Sequence, residues 1–148
     1  MKTIYNAVMA RLKDQVPELK WIDLDTGQLD VKTDRPSIMF PCALIGIGIK
    51  PKRNLTDTIQ ECDAIVTVRL AFDQKALRTN AEAPEEARVK SLAPYDVIAD
   101  VYAALQGYGT DGFDSLCRTE QGKENSLNGL FQYRIVLKTS FEDDTADK

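Results

Sequence analysis

The residues Asp25-Thr26-Gly27 could do chemistry, because this tripeptide is the turn that carries the catalytic carboxylate in aspartic proteases. Two such turns bring two carboxylates together in those enzymes, and the pair shares a proton so that one of them activates water. A chain with one copy would have to dimerise. Gln28 stands where a small residue is usual, and Asp23 adds another acid. The tripeptide is also a common turn sequence for conformational reasons alone, so we predict a turn and no catalytic residue.

Two further short patterns have weak functional interpretations. The segment Gly46-Ile-Gly48 resembles a dinucleotide-binding loop, but the third glycine is missing and Lys50-Pro51 follows where a helix would begin. The better interpretation is that these two glycines, which have no side chain, let another element approach the backbone closely. Residues 111–114 resemble an ion-binding turn, without the EF-hand spacing or its terminal glutamate. We therefore predict no cofactor site and no metal site.

The chain has no histidine and three cysteines, Cys42, Cys62 and Cys117. The absence of histidine excludes Ser-His and Cys-His nucleophile systems, histidine proton shuttles and the commonest metal ligand. The cysteines are widely separated and lie among apolar or β-branched neighbours. We expect three small buried side chains, and neither a disulfide framework nor a zinc site.

Lys50, Lys52 and Arg53 form the most concentrated basic group in the sequence. They have two interpretations: a solvated loop, or a partner-contact loop that meets an acidic surface on a neighbouring subunit. Trp21 and Tyr108 could also anchor an interface, although a core position is the simpler expectation for Trp21.

Length and charge limit the class of protein. A chain of 148 residues and 16.5 kDa fits one domain, residues 1–148, with a single core. The net charge of -4 and the pI near 4.9 argue against specific nucleic-acid binding. No run approaches the roughly 20 apolar residues that span a bilayer, and the first residues lack the apolar run of a signal peptide. We expect a cytoplasmic protein with no membrane partner, whose acidic tail, residues 142–148, is solvated and frayed.

Hydrophobic periodicity predicts two amphipathic helices. In the first, Lys2–Gln15, apolar residues recur at three- and four-residue spacing, and Pro17 ends the helix because the residue before a proline avoids the α region. The second helix is predicted to begin at Ser91 as the N-cap, to hold Pro94 in its first turn, and to end at Gly107.

The other segments are predicted to form strands and loops. The strands are residues 19–24, 37–49, 62–72, 115–120 and 131–140, and Pro41 implies a bulge, a kink or an edge position in the second of them. A break at Arg35-Pro36 precedes that strand, and residues 25–28 make a turn in which Gly27 takes a positive φ. We expect a polar loop at residues 50–60, a loop or a loop plus one helical turn at residues 74–90, and a turn-rich connector at residues 122–129.

This order of elements predicts an α+β fold, a mainly antiparallel sheet with the two main helices packed on one face. In the order of its elements and in its sequence segments, the chain resembles the tail terminator or tail-completion proteins of long-tailed bacteriophages and prophages, especially Mu-like ones. The resemblance spans nearly the whole chain and is carried by these segments: Leu12-Lys-Asp-Gln-Val-Pro17, Ile22-Asp-Leu-Asp-Thr-Gly-Gln-Leu29, Arg35-Pro-Ser-Ile-Met-Phe-Pro-Cys-Ala-Leu-Ile45, Ala64-Ile-Val-Thr-Val-Arg-Leu70, Tyr95-Asp-Val-Ile-Ala-Asp-Val-Tyr102 and Tyr133-Arg-Ile-Val-Leu137.

The resemblance implies a structural virion-assembly protein and no enzyme. In that family a hexameric ring caps the finished tail tube, stops its polymerisation and offers a surface to the head connector. The implied partners are other copies of the chain, a tail tube protein and a head-connector protein, and the implied locations are the host cytoplasm and then the virion tail. Another head–tail joining (neck) protein and a small cytoplasmic ligand-binding module remain as alternatives. No catalytic or cofactor-binding residues come with the resemblance.

Overall fold

The computed structural model describes residues 1–32, 36–74 and 76–148. Seven elements follow one another along the chain: α1 (Lys2–Gln15), β1 (Trp21–Leu24), β2 (Cys42–Asn54), β3 (Gln60–Phe72), α2 (Glu85–Leu105), β4 (Cys117–Glu124) and β5 (Phe131–Asp143). The strands form a five-stranded sheet in the order β1-β2-β3-β5-β4. Only β1 and β2 are parallel, and the other pairs are antiparallel. The fold is α+β with a mostly antiparallel sheet, as the sequence predicts.

The first helix forms where the sequence predicts it. Ile4, Val8 and Leu12 recur every four residues and are buried, which gives α1 one apolar face. The N–H of Val16 donates to the carbonyl of Leu12 at 2.9 Å, and Pro17 follows. The helix thus ends where a proline prevents its continuation.

The second helix is longer than the sequence predicts, and its predicted N-cap is wrong. It begins at Glu85, because residues 85–90 are good helix formers and two glutamates lie in the first turn, where the helix dipole favours carboxylates. Ser91 is buried inside the helix, and its hydroxyl accepts the backbone N–H of Arg78 at 2.9 Å. Residues 85–90 therefore belong to a continuous helix and do not form part of a loop.

Pro94 lies in the interior of α2 and not in its first turn. A proline has no N–H, so the carbonyl four residues earlier, that of Lys90, loses its helical donor. The side-chain amide of Gln74 donates to this carbonyl at 3.4 Å. The loop before the helix thus satisfies the carbonyl that Pro94 leaves free.

The second strand begins and ends later than the sequence predicts. It starts at Cys42, directly after the cis peptide bond Phe40-Pro41, so Pro41 precedes the ladder and makes no bulge, kink or edge in it. At the other end β2 runs to Asn54 and pairs with β3 from Gln60. The predicted loop at residues 50–60 is therefore wrong at its ends: only residues 55–59 lie outside the strands, because cross-strand pairing continues through the polar residues on either side. Part of the predicted break at Arg35-Pro36 is outside the described residues, since Arg35 is not described.

One large core cluster joins the two helices to alternate residues of β2, β3 and β5. Its members include Ile4, Val8, Leu12, Ala43, Ile45, Ala64, Val66, Val68, Leu70, Ile98, Val101, Leu105, Phe131, Ile135 and Leu137. We name the side of the sheet that carries these strand residues the inner face, and the opposite side the outer face. The alternation predicted for residues 62–72 is confirmed, since each apolar residue of the predicted face is buried.

A smaller cluster covers one end of the outer face. It contains Leu29, Cys42, Leu44 and Ala71, with Trp21, Ile38 and Phe40 packed against it. The segment between β1 and β2 thus folds over the start of β2, and Trp21 contacts this cluster.

The last two strands form an antiparallel pair, and β4 is an edge strand whose side chains are mostly exposed. The strand β5 extends to Asp143, so Glu142 and Asp143 of the acidic tail pair with Glu61 and Gln60. Beyond the strand, the hydroxyl of Thr58 donates to a carboxylate oxygen of Asp147 at 2.9 Å. None of the helices in the described part of the chain is long and apolar enough to span a membrane.

Candidate functional site

The three predicted partner-contact residues lie on a strand and not on a loop. Lys50, Lys52 and Arg53 belong to the end of β2, which with the start of β3 forms a hairpin arm, residues 50–61. The β2 side of this arm, residues 50–54, is exposed along its whole length. The pairing register shifts between Pro51 and Arg53, so Lys52 has no opposite residue. The three cations therefore lie close together on the end of one strand.

Two of these cations are already paired within the chain. The ammonium of Lys52 lies 3.5 Å from Glu61 and 3.7 Å from Asp63, and Arg53 also pairs with Glu61. The hydrogen bond from Arg53 is the largest cause of a lowered pKa at Glu61. For Lys50 the described residues provide no ion pair, and its side chain is exposed on the outer face. It is therefore the cation of this group that is available to a partner.

Asp63 is a buried carboxylate at the base of the arm, with a relative exposure of 6%. It accepts hydrogen bonds from Ser140 at 3.0 Å and from Lys138, whose ammonium lies 3.1 Å away. Burial alone would raise its pKa, but these hydrogen bonds and the charges of Lys138 and Lys52 outweigh burial, so its pKa is lowered. The carboxylate holds two lysines at one end of the outer face.

The Asp25-Thr26-Gly27 segment is a turn, as predicted, and Gly27 has a φ of +91°. The N–H of Gly27 donates to the Asp25 carboxylate at 3.1 Å, and the N–H of Thr26 donates to the side chain of Gln28 at 2.8 Å. The N–H of Asp25 donates to the carbonyl of Ile45 at 2.9 Å, which fixes the turn to β2. Local hydrogen bonds therefore account for the residue types in this turn.

Arg69 of β3 forms ion pairs with three carboxylates from separate parts of the chain. Its guanidinium lies 3.3 Å from Asp25, 2.9 Å from Asp30 and 3.1 Å from Glu124. Both Asp30 oxygens accept from Arg69, which makes this pair bidentate. The side-chain hydrogen bond from Arg69 is the largest cause of a lowered pKa at Asp30. Burial opposes the charge on Arg69, but the carboxylates outweigh burial and raise the pKa of its guanidinium.

This network gives Asp25 a structural role. A proton-sharing dyad needs two carboxylates that cannot both ionise because no cation lies between them. The Asp25 carboxylate instead faces the Arg69 guanidinium at 3.3 Å. Arg69 thereby ties the turn after β1, the loop that follows it and the end of β4 to the centre of the sheet.

Between the Arg69 network and the lysines around Asp63, β2 presents two glycines on the outer face. The pairing register aligns Gly46 with Thr67 and Val136, and Gly48 with Ile65 and Lys138. A Cβ atom added at Gly48 would meet nothing within 4 Å, and one at Gly46 would meet only the Thr67 carbonyl at 4.0 Å. The close approach predicted for these glycines is therefore not made by any described part of this chain.

The remaining sequence candidates have structural positions. The segment 110–114 is a turn before a strand, closed by a bridge between Thr110 and Phe113, and no group of residues able to hold a metal ion occurs among those described. Tyr108 stacks edge-on against Phe113 with the Arg11 guanidinium 4.9 Å from its ring. Tyr108 is half-buried and makes these contacts within the chain.

The cysteine prediction is correct for two of the three residues. Cys42 and Cys62 are buried, and burial raises the pKa of both thiols, to about 11 for Cys42. Cys117 is exposed, because it begins the edge strand β4, where cross-strand pairing occupies one side only. All three are free thiols.

Two surface cavities lie away from the outer face. A groove of about 720 Å³ separates the hairpin arm from the start of α1 and the turn at residues 110–114. A smaller cavity of about 230 Å³ is lined mainly by apolar residues, among them Phe40, Phe72, Pro94 and Val97.

The sequence did not predict that Arg69, Asp63 and the two glycines Gly46 and Gly48 lie on one surface. Residue pairs such as Arg69 and Glu124 are 55 positions apart, so no local spacing relates them. A usable signal existed within β3, where Asp63 and Arg69 are charged residues on the polar side of an otherwise apolar strand. Charges at such positions require partners from other segments.

No protein-family model matches the chain, and no curated protein has significant sequence similarity to it.

Proposed function

We propose that this protein is a structural component of a phage or prophage tail, which forms a ring, caps the tail tube and helps to join it to the head. The bare strip of the outer face, at Gly46 and Gly48, is the observation that carries this proposal. Glycine weakens a strand, and in a strand interior it often marks a place where another backbone approaches closely. In this chain nothing described approaches Gly48. A surface of this kind suits a protein that is completed by assembly.

The order of elements also supports the proposal. The helix, the group of strands, the second helix and the final strand pair follow one another as in the sequence segments that resemble tail terminators. The charged groups found here serve as ion pairs between strands and loops, which suits an assembly role better than a catalytic one. In this role the protein acts in the host cytoplasm during assembly and remains in the virion tail, with the tail tube protein and the head-connector protein as partners.

The test is the absolute mass in solution, measured by light scattering after size exclusion over a range of protein concentrations. A closed hexamer has a mass of six times 16.5 kDa and a ring outline in negative-stain electron microscopy. Added to polymerising tail tube protein from the same genome, this ring shortens the tubes. Tubes of unchanged length in the presence of the ring contradict the capping role and favour another neck component, which would form a ring without stopping polymerisation.

A small ligand-binding module is the second candidate, and the groove of about 720 Å³ favours it. Drug-sized ligands occupy cavities of about 300–1,000 Å³, so the volume is sufficient. The groove is lined by six carboxylates from three segments, Glu61, Asp111, Asp114, Glu142, Asp143 and Asp144. A monomer of 16.5 kDa that binds a cationic small molecule in this groove would replace the ring proposal.

A further inference from the structure

The second helix carries an exposed stripe with an apolar centre and acidic ends. Val89 and Leu92 are 65% and 46% exposed, although both are large apolar side chains. Glu85 precedes them and Asp96 and Asp100 follow them at three- or four-residue spacing, so all five lie on one side of the helix. We name these five residues the α2 stripe. It extends over about 22 Å at a rise of 1.5 Å per residue.

The outer face carries a surface on which this stripe can pack. Its centre is the glycine strip, which we define as Gly46 and Gly48 with the half-buried Ile65 and Thr67 beside them. Lys50 continues the strip along β2, and Lys138 lies across the sheet from Gly48. The centre is low and weakly polar, its one end carries Lys50 and the Asp63-bound Lys138, and its other end borders Arg69 with its three carboxylates.

The two surfaces lie on opposite sides of one chain. The buried side of α2 belongs to the core cluster that includes the inner face of the sheet, and its stripe is exposed. The glycine strip lies on the outer face. The stripe of a given copy therefore cannot contact the strip of that same copy, and a contact between them joins two copies.

We propose that the α2 stripe of one copy packs on the glycine strip of the next copy. Val89 and Leu92 fill the space above Gly48, and one acidic end of the stripe lies against Lys50 and Lys138. The contact joins different surfaces, so it is heterologous, and it closes into a ring when the rotation between copies divides a full turn. This inference rests on the proposed ring and names the surface that builds it.

Charge supports a second copy as the occupant. None of the stripe's three carboxylates has an ion pair within the described residues, and neither has Lys50. Complementary charges of this kind favour the correct orientation and speed association. The apolar centres supply the dry contact that a stable interface needs.

The test begins with Gly48→Val. An added Cβ at this position meets nothing within 4 Å in its own chain, and valine favours the strand conformation. We therefore expect the monomer of this variant to fold. In the assembled protein the same side chain occupies the space of Val89 and Leu92. We expect an increase of tenfold or more in the dissociation constant, about the effect of overpacking an interface.

Gly122→Val is the matched control. A Cβ at Gly122 also meets nothing within 4 Å, but β4 is three strands from β2, about 14 Å across the sheet. We expect wild-type assembly for this variant. A ring that forms equally well with Gly48→Val contradicts the proposed contact and leaves the capping function standing.

A mixing experiment tests the polarity of the contact. Leu92→Glu damages the stripe and Gly48→Val damages the strip, so each variant alone is expected to remain monomeric. An equimolar mixture retains one intact pair of surfaces and should give a species of twice 16.5 kDa and nothing larger. Leu127→Glu, at a leucine that is 58% exposed in the β4–β5 turn, should not change assembly.

The outcomes separate this inference from the proposed function. Dimers that form in the mixture, in a protein whose wild type makes no hexamer, support the contact and contradict the ring. A mixture that stays monomeric while the wild type is hexameric overturns the contact alone. A wild type that is monomeric at every concentration overturns the contact.

Discussion

Replacement of Arg69 by methionine tests the network that ties three segments to the sheet. The guanidinium is 13% exposed, and its partners Asp25, Glu124 and Asp30 are 20%, 20% and 56% exposed. Removal of one partner from a fully buried ion pair costs about 3–5 kcal/mol, whereas exposed pairs contribute about 0–1 kcal/mol. Arg69 lies between these limits, so we expect a loss of about 2–3 kcal/mol in the free energy of unfolding. For a chain of this size the loss lowers Tm by roughly 5–10 °C.

The assay is urea denaturation at neutral pH, followed by circular dichroism. Arg134→Met is the matched control, because Arg134 lies opposite Arg69 on β5 but pairs with one exposed carboxylate, Glu120. We expect the control to change the free energy of unfolding by less than about 0.5 kcal/mol. If Arg69→Met is as stable as this control, the network does not hold the three segments to the sheet.

The pH dependence provides a second measurement on the same variant. Asp30 has a pKa below its ordinary value of 3.8 in the folded state. A carboxylate with a depressed pKa contributes stability above its unfolded pKa, and this stability is lost as the pH falls through the folded pKa. The difference in the free energy of unfolding between wild type and Arg69→Met should therefore be largest at neutral pH and should shrink as the pH falls below 3.8. A difference that is the same at pH 7 and in acid would show that Arg69 acts through packing alone.

Two further predictions concern single positions. Gly27→Ala places a side chain at a φ of +91° and should destabilise the fold by about 1–2 kcal/mol in thermal or urea denaturation. Gly122→Ala is the control and should not destabilise the fold, since a Cβ at that position meets no other atom within 4 Å. Equal effects of the two substitutions would contradict the role of the positive φ. Cys117 should react within seconds with a thiol reagent such as DTNB, while Cys42, buried and with a pKa of about 11, should react only after unfolding. Prompt labelling of Cys42 in the native protein would show that the start of β2 opens readily.

The elements predicted from local pattern agree with the structure where the pattern is strong. The first helix and the inner face of β3 were predictable because their apolar residues repeat at the period of the element over several turns or residue pairs. Errors occurred where polar residues continue an element. The hairpin arm and the first turns of α2 are rich in charged residues, and pairing between strands or helix propensity, not burial, maintains them there.

The candidate site divides in the same way. The tight turn at Asp25-Thr26-Gly27 was predictable, because Gly27 needs a positive φ and the Asp25 side chain can bond the backbone two residues later. The partner of Asp25 was not predictable, since Arg69 is 44 positions away. Similarly, the three cations were found as a group, but which of them remains unpaired depends on Glu61 and Asp63 across the hairpin.

The sequence by itself determined the α+β class, the first helix, the main apolar strand and the turn at Gly27, because these follow from short-range periodicity and backbone conformation. Only the tertiary structure decided that Gly46 and Gly48 lie bare on the outer face and that Val89 and Leu92 lie exposed on α2. The physical reason is that exposure depends on what packs above a residue. That depends on the register and stacking of segments far apart in the chain, which no local pattern records.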